Sequence, residues 1–263
     1  MQGLKERKQK MLRGVATVGI LLGCTALVAS AATIAGVTNL SGSVNVGNTG
    51  SFVYVDFFSG PLPCATPSLG TAGCGSVNAS STGDFPAPGP GEVTILDLEA
   101  PPLNISGSEN LASWLVFTGG VNMDLTYLAP GGGGDCGSLT AAQLLAGNTT
   151  CTAFFGGVAS PFTLTNNASA TNVAVTLSAN LLGWKTSRAT GTTPYTGQFT
   201  TQVSGNLASV LGGANTAAGF APNGVSYSAN IAPVPGVPEP LTFSLMGGGL
   251  LLLGLVRRRK ANR

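Results

Sequence analysis

A two-residue alternation of apolar and polar side chains, which runs from residue 52 to residue 231, constrains the fold of this chain most strongly. In residues 121–127, for example, Val, Met, Leu and Tyr alternate with Asn, Asp and Thr. Because successive side chains of a strand point to opposite faces, this period is typical of strands that bury one face. The continuous apolar run 114–117 predicts an inner strand. The same alternation surrounds Val55, Leu98, Val175, Phe199 and Tyr227.

Turn-forming clusters separate these segments at residues 60–61, 86–91, 130–134 and 189–194. The chain contains 39 Gly and 16 Pro, and only 8% of its residues are charged, a composition that favours short strands and turns over long helices. Short strands at this spacing predict an all-β antiparallel sandwich over residues 32–231. Two short helices are predicted within it, one at 140–146 that begins after Ser138 and one at 206–211, each with a capping residue and a glycine stop.

Charge is distributed unevenly along the chain. Basic residues cluster in the first 13 residues and after residue 256, whereas only Lys185 and Arg188 lie between residues 32 and 236, against eight acidic residues. Phosphate binding needs clustered Lys and Arg, so we do not expect the acidic body to bind nucleic acid. The chain contains no histidine, which removes the commonest general base and the commonest metal ligand. We therefore expect no cofactor and no metal ion.

The N-terminus has the three parts of a secretory signal. Residues 1–13 are cationic, residues 14–28 are almost wholly apolar, and Ala29-Ser30-Ala31 offers small residues to a signal peptidase. We predict a signal helix within a signal peptide at 1–31, recognised by the export machinery. Two alternatives remain open. The apolar run could stay as a permanent membrane anchor, or residues 21–24 could act as a lipobox at which Cys24 is acylated.

Export changes the interpretation of the cysteines. Removal of Cys24 with the leader leaves four cysteines, an even number in an oxidising compartment where paired thiols are the norm. Of the three possible connectivities we predict Cys64 with Cys74 and Cys136 with Cys151, because each pair closes a loop that contains Gly or Pro. Metal binding is the alternative for four cysteines, but none of them has the C-x-x-C spacing.

The C-terminal segment combines three features in a fixed order after the Pro-rich linker 232–236. The first is Val237-Pro238-Glu239-Pro240, the second is an uncharged run at 241–256, and the third is the basic cluster Arg257, Arg258, Arg259 and Lys260. The run corresponds to roughly 24 Å of helix, so we predict a transmembrane helix at 241–256. Lys and Arg beside a membrane helix stay cytoplasmic, which leaves the acidic body outside.

This order of features, with Gly247-Gly248-Gly249 interrupting the apolar run, resembles the PEP-CTERM sorting domain over about the last 27 residues. The resemblance implies a sorting tag at 237–260 that is cut near residues 237–240 by an exosortase, a membrane-embedded thiol peptidase. It further implies a Gram-negative host that makes exopolysaccharide, an intermediate anchored in the inner membrane, and delivery to the envelope, the surface or the exterior. An ordinary single-pass tail anchor with a chance Pro-Glu-Pro is the alternative.

Because the chain contains no histidine, catalysis by a pair of carboxylates is the enzyme mechanism that we consider. A glycosidase needs two acids about 5 to 10 Å apart across a cleft. Asp97 and Glu99 are close enough in sequence to form such a pair, but two acids spaced by two on one strand are also typical of a solvated outer face. Asp56 and Asp124 have the same interpretation, so no catalytic residue is predicted.

Two tryptophans are candidates for stacking on sugar rings. Trp114 lies in an apolar run and is predicted to be in the core, whereas Trp184 lies beside Lys185 and Arg188 and is the better candidate for a glycan contact. We expect a non-enzymatic surface or matrix component that is associated with exopolysaccharide or biofilm and whose tag is the exosortase substrate. The alternatives are a surface-displayed carbohydrate-binding module and a paired-carboxylate glycosidase.

Overall fold

Thirteen strands make up most of the computed structural model, which describes residues 34–48, 53–58, 72–100, 107–155, 158–214 and 221–235. The first seven strands are β1 (Thr38–Asn48), β2 (Val53–Phe58), β3 (Gly73–Val77), β4 (Gly89–Ile95), β5 (Leu98–Ala100), β6 (Gly107–Phe117) and β7 (Val121–Leu128). The other six are β8 (Gly134–Asp135), β9 (Thr150–Phe155), β10 (Val158–Asn166), β11 (Asn172–Lys185), β12 (Thr193–Ser204) and β13 (Ala221–Pro233). The described helices are α1 (Ala141–Leu144), α2 (Leu207–Ala214) and two 3-10 helices, Cys136–Ser138 and Arg188–Thr190.

Eight of these strands close into an antiparallel barrel in the order β1, β3, β4, β6, β7, β11, β12 and β13. The ring closes because β13 pairs antiparallel with β1. On another side of the ring, β11 pairs with β12 without a break over residues 172–183. Each barrel strand therefore has a hydrogen-bonded neighbour on both sides, which removes the open edges that make isolated sheets prone to aggregation.

Two long strands, β1 and β11, use one edge for two different partners. Along β1, residues 40–41 pair with β3 and residues 43–48 pair with β2. Along β11, the half that ends at Leu177 pairs with β10, and residues 179–185 pair with β7. The ring is therefore closed at one end of β1 and β11. At the other end of these two strands, β2 and its partner β5 extend the wall beside β1, and β10 and its partner β9 extend it beside β11. The only parallel pairing among the strands described joins β8 to β9.

This arrangement confirms the predicted all-β antiparallel fold but not the predicted sandwich. A sandwich has two separate sheets, whereas the strands described here form one continuous ladder that closes on itself. The alternation could not distinguish the two architectures, because both bury one face of every strand. The predicted helices at 1–31 and 241–256 lie outside the described residues. Within the described ranges, no helix has the length and apolarity needed to cross a membrane.

Aromatic side chains fill the interior of the barrel. Trp114 is fully buried, and its ring centroid lies 5.3 Å from that of Phe199 and 6.2 Å from that of Phe57. Tyr227 lies 5.5 Å from Phe57, centroid to centroid. Tilted and edge-to-face arrangements at these distances are favourable for aromatic rings. The predictions that Trp114 is a core residue and that its segment forms an inner strand are confirmed, since β6 has a neighbour on each side.

A bulge in β7 changes the direction of two side chains from that predicted. Thr126 is an extra residue relative to β11, and its hydroxyl donates to the carbonyl of Asn180 at 3.0 Å. Beyond the bulge, Leu128 is buried and Tyr127 is partly exposed. The prediction that Tyr127 continues the buried face of β7 is therefore wrong, because one inserted residue reverses the alternation.

Both predicted helices are present, with shifted limits. Helix α1 begins after Thr140 and not after Ser138, which lies in the preceding 3-10 helix. The Thr140 hydroxyl accepts from the backbone N–H of Gln143, and the Gln143 side-chain oxygen accepts from the backbone N–H of Thr140 at 2.9 Å, which forms a capping box. Helix α2 begins after Asn206, whose side-chain oxygen accepts from the backbone N–H of Ser209 at 3.0 Å. The predicted glycine stop of α2 is wrong, since the helix continues through residues 212–213 to Ala214.

A disulfide joins Cys136 to Cys151, as predicted, with their Cα atoms 5.0 Å apart. The bond joins the 3-10 helix Cys136–Ser138, which precedes α1, to strand β9. Both cysteines are buried. Cys74 in β3 is also disulfide-bonded, and its predicted partner Cys64 lies outside the described residues.

Removing the Cys136–Cys151 bond is expected to destabilise the barrel measurably. The bond closes a segment with a sequence separation of 15 residues, for which the chain-entropy model gives about 3 kcal/mol. The double variant Cys136→Ser/Cys151→Ser should therefore lose about that much free energy of unfolding in a urea titration. Serine substitution is preferable to chemical reduction because a reductant would also act on Cys74. An unchanged midpoint would contradict the role assigned to this bond.

Because Phe199 packs in the interior, its truncation should cost more stability than truncation of an apolar residue on the outer face of a barrel strand. Phe199→Ala should lower the free energy of unfolding by about 3–5 kcal/mol, because it removes ring contacts and leaves a cavity. Val116→Ala is the matched control, since Val116 faces outwards and is 37% exposed, and it should change stability by less than about 0.5 kcal/mol. Equal losses in thermal or chemical unfolding would show that the interior is not packed as described.

Candidate functional site

Asp124 on β7 is the centre of a polar cluster on the outer wall of the barrel. Its carboxylate accepts hydrogen bonds from Nε and one terminal nitrogen of Arg188, at 2.6 and 2.7 Å. It also accepts from Nε1 of Trp184 at 3.2 Å and from the backbone N–H of Ser113 at 2.7 Å. Four donors from β6, β11 and the 3-10 helix after β11 thus converge on one carboxylate, which charge makes a strong acceptor.

The contact with Ser113 explains the irregular course of β6. Ser113 has a φ of 54°, which is uncommon for a residue with a side chain, and the register between β6 and β7 shifts on either side of Leu111. The backbone N–H of Ser113 donates to the Asp124 carboxylate and not to the backbone of a neighbouring strand. The bulge is thereby stabilised by a side chain of the neighbouring strand.

Trp184 and Arg188 lie against each other on this wall. The guanidinium carbon of Arg188 is 4.8 Å from the centroid of the Trp184 ring, within cation–π range. A short 3-10 helix positions Arg188, because the Ser187 hydroxyl accepts from the backbone N–H of Ala189 at its start. The Trp184 N–H therefore donates to Asp124, and one face of the Trp184 ring contacts Arg188. Its predicted role as a glycan contact stays a prediction.

The charge state of Asp124 follows from this environment. Partial burial acts to raise its pKa, but the hydrogen bonds from Arg188, the Ser113 amide and Trp184 outweigh burial and hold the pKa below its ordinary value of 3.8. The general acid of a glycosidase needs a raised pKa. Asp124 is consequently suited to a permanently ionised, positioning role.

A second ion pair fixes the segment before β1 against β11. Asp84 accepts from the Ala35 backbone N–H and from Lys185 Nζ, both at 2.9 Å, and these contacts hold its pKa below the ordinary value. The hydroxyl of Tyr195 donates to the carbonyl of Ile34 at 3.2 Å. Burial, together with the Asp84 charge, raises the pKa of Tyr195 to about 12. These contacts are structural links between the start of the described chain and the barrel wall.

The other predicted acidic residues lie around β2 and β5. Asp97 precedes β5, and one of its oxygens accepts from the backbone N–H of Phe57 at 3.0 Å. Glu99 lies within β5, opposite Tyr54 of β2. Asp56 is buried, and one of its oxygens lies 3.4 Å from the side-chain nitrogen of Asn45. In the part of the chain that the structure describes, no group of three His, Cys, Asp or Glu residues could hold a metal ion.

A small apolar cleft lies in the interior of the barrel. A cleft of about 20 Å³ lies where β2 and β10 diverge, which is space for roughly one water molecule, against several hundred Å³ in a typical ligand site. Its lining is apolar and includes Phe57, Phe162 and Phe199. Tyr227 also lines this cleft. Burial raises the pKa of the Tyr227 hydroxyl, and this hydroxyl makes no hydrogen bond with the described residues.

A row of hydroxyl side chains crosses the outer face of four neighbouring strands. Thr176 on β11 lies opposite Thr200 on β12, and Thr200 lies opposite Ser228 on β13. Ser228 in turn lies opposite Ser41 on β1. Directly opposed residues of antiparallel strands project from the same face, so these side chains stand next to one another. The term hydroxyl row denotes Thr176, Thr200, Ser228 and Ser41.

The hydroxyl row extends beyond these four strands at both ends. On one side Thr176 lies opposite Thr163 of β10, and Thr163 lies opposite Thr152 of β9. The loop at Gly132 covers this end, since its N–H donates to the Thr163 hydroxyl at 2.6 Å and its carbonyl accepts from Thr152 at 3.0 Å. On the other side Ser41 lies opposite Ser76 of β3. Thr152 is buried, Ser228 is exposed, and the other members of the row are partly exposed.

A second row runs beside the hydroxyl row, two residues along each strand. It consists of Ser178, Gln198, Asn230 and Asn39, which lie opposite one another in that order on β11, β12, β13 and β1. The side-chain amide of Asn230 donates to that of Asn39 at 2.8 Å. This set is called the amide row. Neither row could be predicted from the sequence alone, because only strand pairing shows which residues stand opposite one another.

Several predicted site residues lie outside the described residues. They are the sorting motif Val237, Pro238, Glu239 and Pro240, the basic cluster Arg257, Arg258, Arg259 and Lys260, and Cys64. The described chain ends at Pro235, after a last hydrogen bond from the backbone N–H of Val234 to the carbonyl of Pro194 at 2.9 Å.

The geometry defines an antiparallel eight-stranded barrel with extra strands, a polar cluster on one wall and neutral polar rows on another. Comparison of the chain with protein-family models, with curated proteins and with solved structures finds no match.

Replacement of Asp124 is expected to cost stability in a pH-dependent way. Asp124→Ala leaves the Ser113 amide and Trp184 N–H without their acceptor and should lower the free energy of unfolding by about 2 kcal/mol at pH 7. Because the folded-state pKa is lowered, this contribution is present above the ordinary pKa of 3.8 and is lost as the pH falls through the folded-state pKa. Urea titrations of both proteins from neutral to strongly acidic pH measure the difference.

Arg188→Ala is the control for the Asp124 experiment. The Arg188 side chain is 47% exposed, so its loss should cost less stability than the loss of Asp124 and leave the other two donors in place. If Asp124→Ala had no larger effect than Arg188→Ala, or if its effect did not shrink in acid, the carboxylate would not organise this wall.

Proposed function

We propose that this protein is a non-enzymatic component of a bacterial surface or extracellular matrix, exported through its N-terminal signal and sorted by an exosortase through residues 237–260. The single observation that carries the proposal is the ordered C-terminal sequence of Pro-Glu-Pro, a 16-residue uncharged run and a basic cluster. The basic cluster resists translocation and holds the tag at the membrane, where a membrane-embedded peptidase acts.

The described body supports export in one chemical respect. The Cys136–Cys151 disulfide, and the disulfide of Cys74, are bonds that persist in oxidising compartments and are rare in the cytosol. Signal peptidase and the export machinery are then the first partners of the chain. The exosortase is the next, and the mature protein is released to the envelope, the surface or the exterior of a Gram-negative cell.

The form of the body also supports a binding or structural role. The interior is filled by side chains, and the carboxylate of the best-defined polar cluster is held ionised by four donors. The polar rows face outwards on a wall of paired strands, where they are available to a partner. An association with exopolysaccharide fits such a surface, so a displayed carbohydrate-binding module is the second candidate function. A glycosidase receives no comparable support from Asp124.

The sorting proposal predicts that the motif is required for processing. Pro238→Ala/Glu239→Ala/Pro240→Ala should abolish cleavage, so that intact-mass spectrometry of the protein from an exosortase-containing host finds the full C-terminus, including the terminal arginines. The wild type should yield a C-terminus near residues 237–240, and only where the exosortase gene is intact.

Pro235→Ala is the matched control for the motif, since it removes a neighbouring proline that lies in the linker and not in the tag. This variant should be processed like the wild type. Identical cleavage of the motif variant, or release of the wild type with its arginines from cells without exosortase, would refute the sorting proposal. The same spectra report whether Cys24 carries a lipid.

A further inference from the structure

The strands of this protein divide into a charged and a neutral group. Strands β2, β4, β5, β6, β7 and β8 each contain one acidic residue, in the order Asp56, Glu92, Glu99, Glu109, Asp124 and Asp135. Strands β1, β3, β9, β10, β12 and β13 contain no charged residue, and β11 contains only Lys185, its last residue. The hydroxyl and amide rows lie entirely on strands without an acidic residue.

We propose that the hydroxyl row and the amide row together form a docking surface for a neutral polysaccharide. This inference rests on the proposed delivery of the protein to a surface or matrix, and it identifies the class of partner met there. The charge distribution is the first argument. A surface without cations has nothing to neutralise an anionic polymer, and the acidic strands elsewhere in the barrel repel one.

The chemistry of the two rows matches a polyol. A Ser or Thr hydroxyl both donates and accepts, and an Asn or Gln amide does the same through separate atoms. Sugar hydroxyls have the same dual character, so each group of the rows finds a partner without a change of charge. Ser228, Gln198 and Asn230 are exposed, and they lie on the two central strands of the patch.

The rows offer little to a protein partner. Protein interfaces depend on a few large apolar or aromatic side chains that become fully buried. The large hydrophobic side chains that are exposed in the described residues are Val116, Leu145, Phe154 and Val234, and none of them belongs to either row. A partner that contributes only hydroxyl groups fits this surface better than one that needs an apolar anchor.

The spacing of the rows suits an extended polymer. Neighbouring strands lie about 4.8 Å apart, so four strands present hydroxyls over roughly 14 Å, and the two rows are separated by about 7 Å along the strands. The Thr176 and Thr200 hydroxyls lie 3.4 Å apart, and their branched side chains have few rotamers, which limits the entropy lost on binding. Many weak contacts along a chain of repeating sugars add up to useful affinity.

The test compares the full chain with a variant that lacks three hydroxyls of the row, Thr176→Val/Thr200→Val/Ser228→Ala. Valine has the shape of threonine and keeps the strand preference, and removal of both threonine hydroxyls leaves neither without its partner. The purified chain, in mild detergent, is tested against four neutral polysaccharides, namely cellulose, curdlan, dextran and mannan, and against the polyanion alginate. We expect retention by at least one neutral polymer, a loss of about tenfold in its affinity in the variant, and no retention by alginate.

Thr94→Val/Ser169→Ala is the control, because Thr94 lies on β4 and Ser169 in the turn between β10 and β11, away from both rows. The control should bind like the wild type, and thermal unfolding should show all three proteins folded. Three outcomes would overturn the proposal: no retention by any neutral polymer, equal retention of wild type and variant, or a change only in self-association during sedimentation. None of these outcomes affects cleavage at residues 237–240, so failure here is distinct from failure of the sorting proposal.

Discussion

The rest of the structure depends on closure of the backbone hydrogen-bond ladder. Each of the eight barrel strands is paired on both sides, and β1 and β11 are long enough to give one edge to two partners in turn. Closure satisfies the backbone groups that a free edge would expose, and it creates an interior in which Trp114, Phe199 and Tyr227 pack. A chain with so few charged residues gains particular protection from aggregation in this way.

Closure also requires irregular strands, and polar side chains stabilise them. Thr126 forms the bulge of β7 and bonds across to Asn180, and Asp124 accepts the N–H of Ser113 in β6. The same carboxylate orients Trp184 and Arg188, so a residue needed for barrel geometry also arranges the most polar part of the outer wall. Its low pKa follows from this structural role, and it argues for a positioning residue more than for a proton donor.

The separation of acidic and neutral strands connects the fold with the proposed function. In sequence the acids are scattered from Asp56 to Asp135, and the barrel gathers the neutral strands that follow them, together with β1, into one continuous wall. That wall carries rows of hydroxyl and amide groups in register. Such a surface suits a protein that is delivered to a polysaccharide-rich exterior. The buried side chains of the interior are compatible with binding on the outer face of the barrel.

The sequence by itself determined the local features. Period-two alternation indicated the strand character of the body, polar residues before apolar runs placed the two short helices approximately, and the loop between Cys136 and Cys151 indicated their bond. Each of these signals lies within a few residues or one short loop. Only the tertiary structure decided that the sheet closes as a barrel, that Thr126 turns Tyr127 outwards, and that the polar groups of four strands stand in rows. Strand partners and register are set by contacts between distant segments, and an alternation that repeats identically in every strand contains no information about which strand lies beside which.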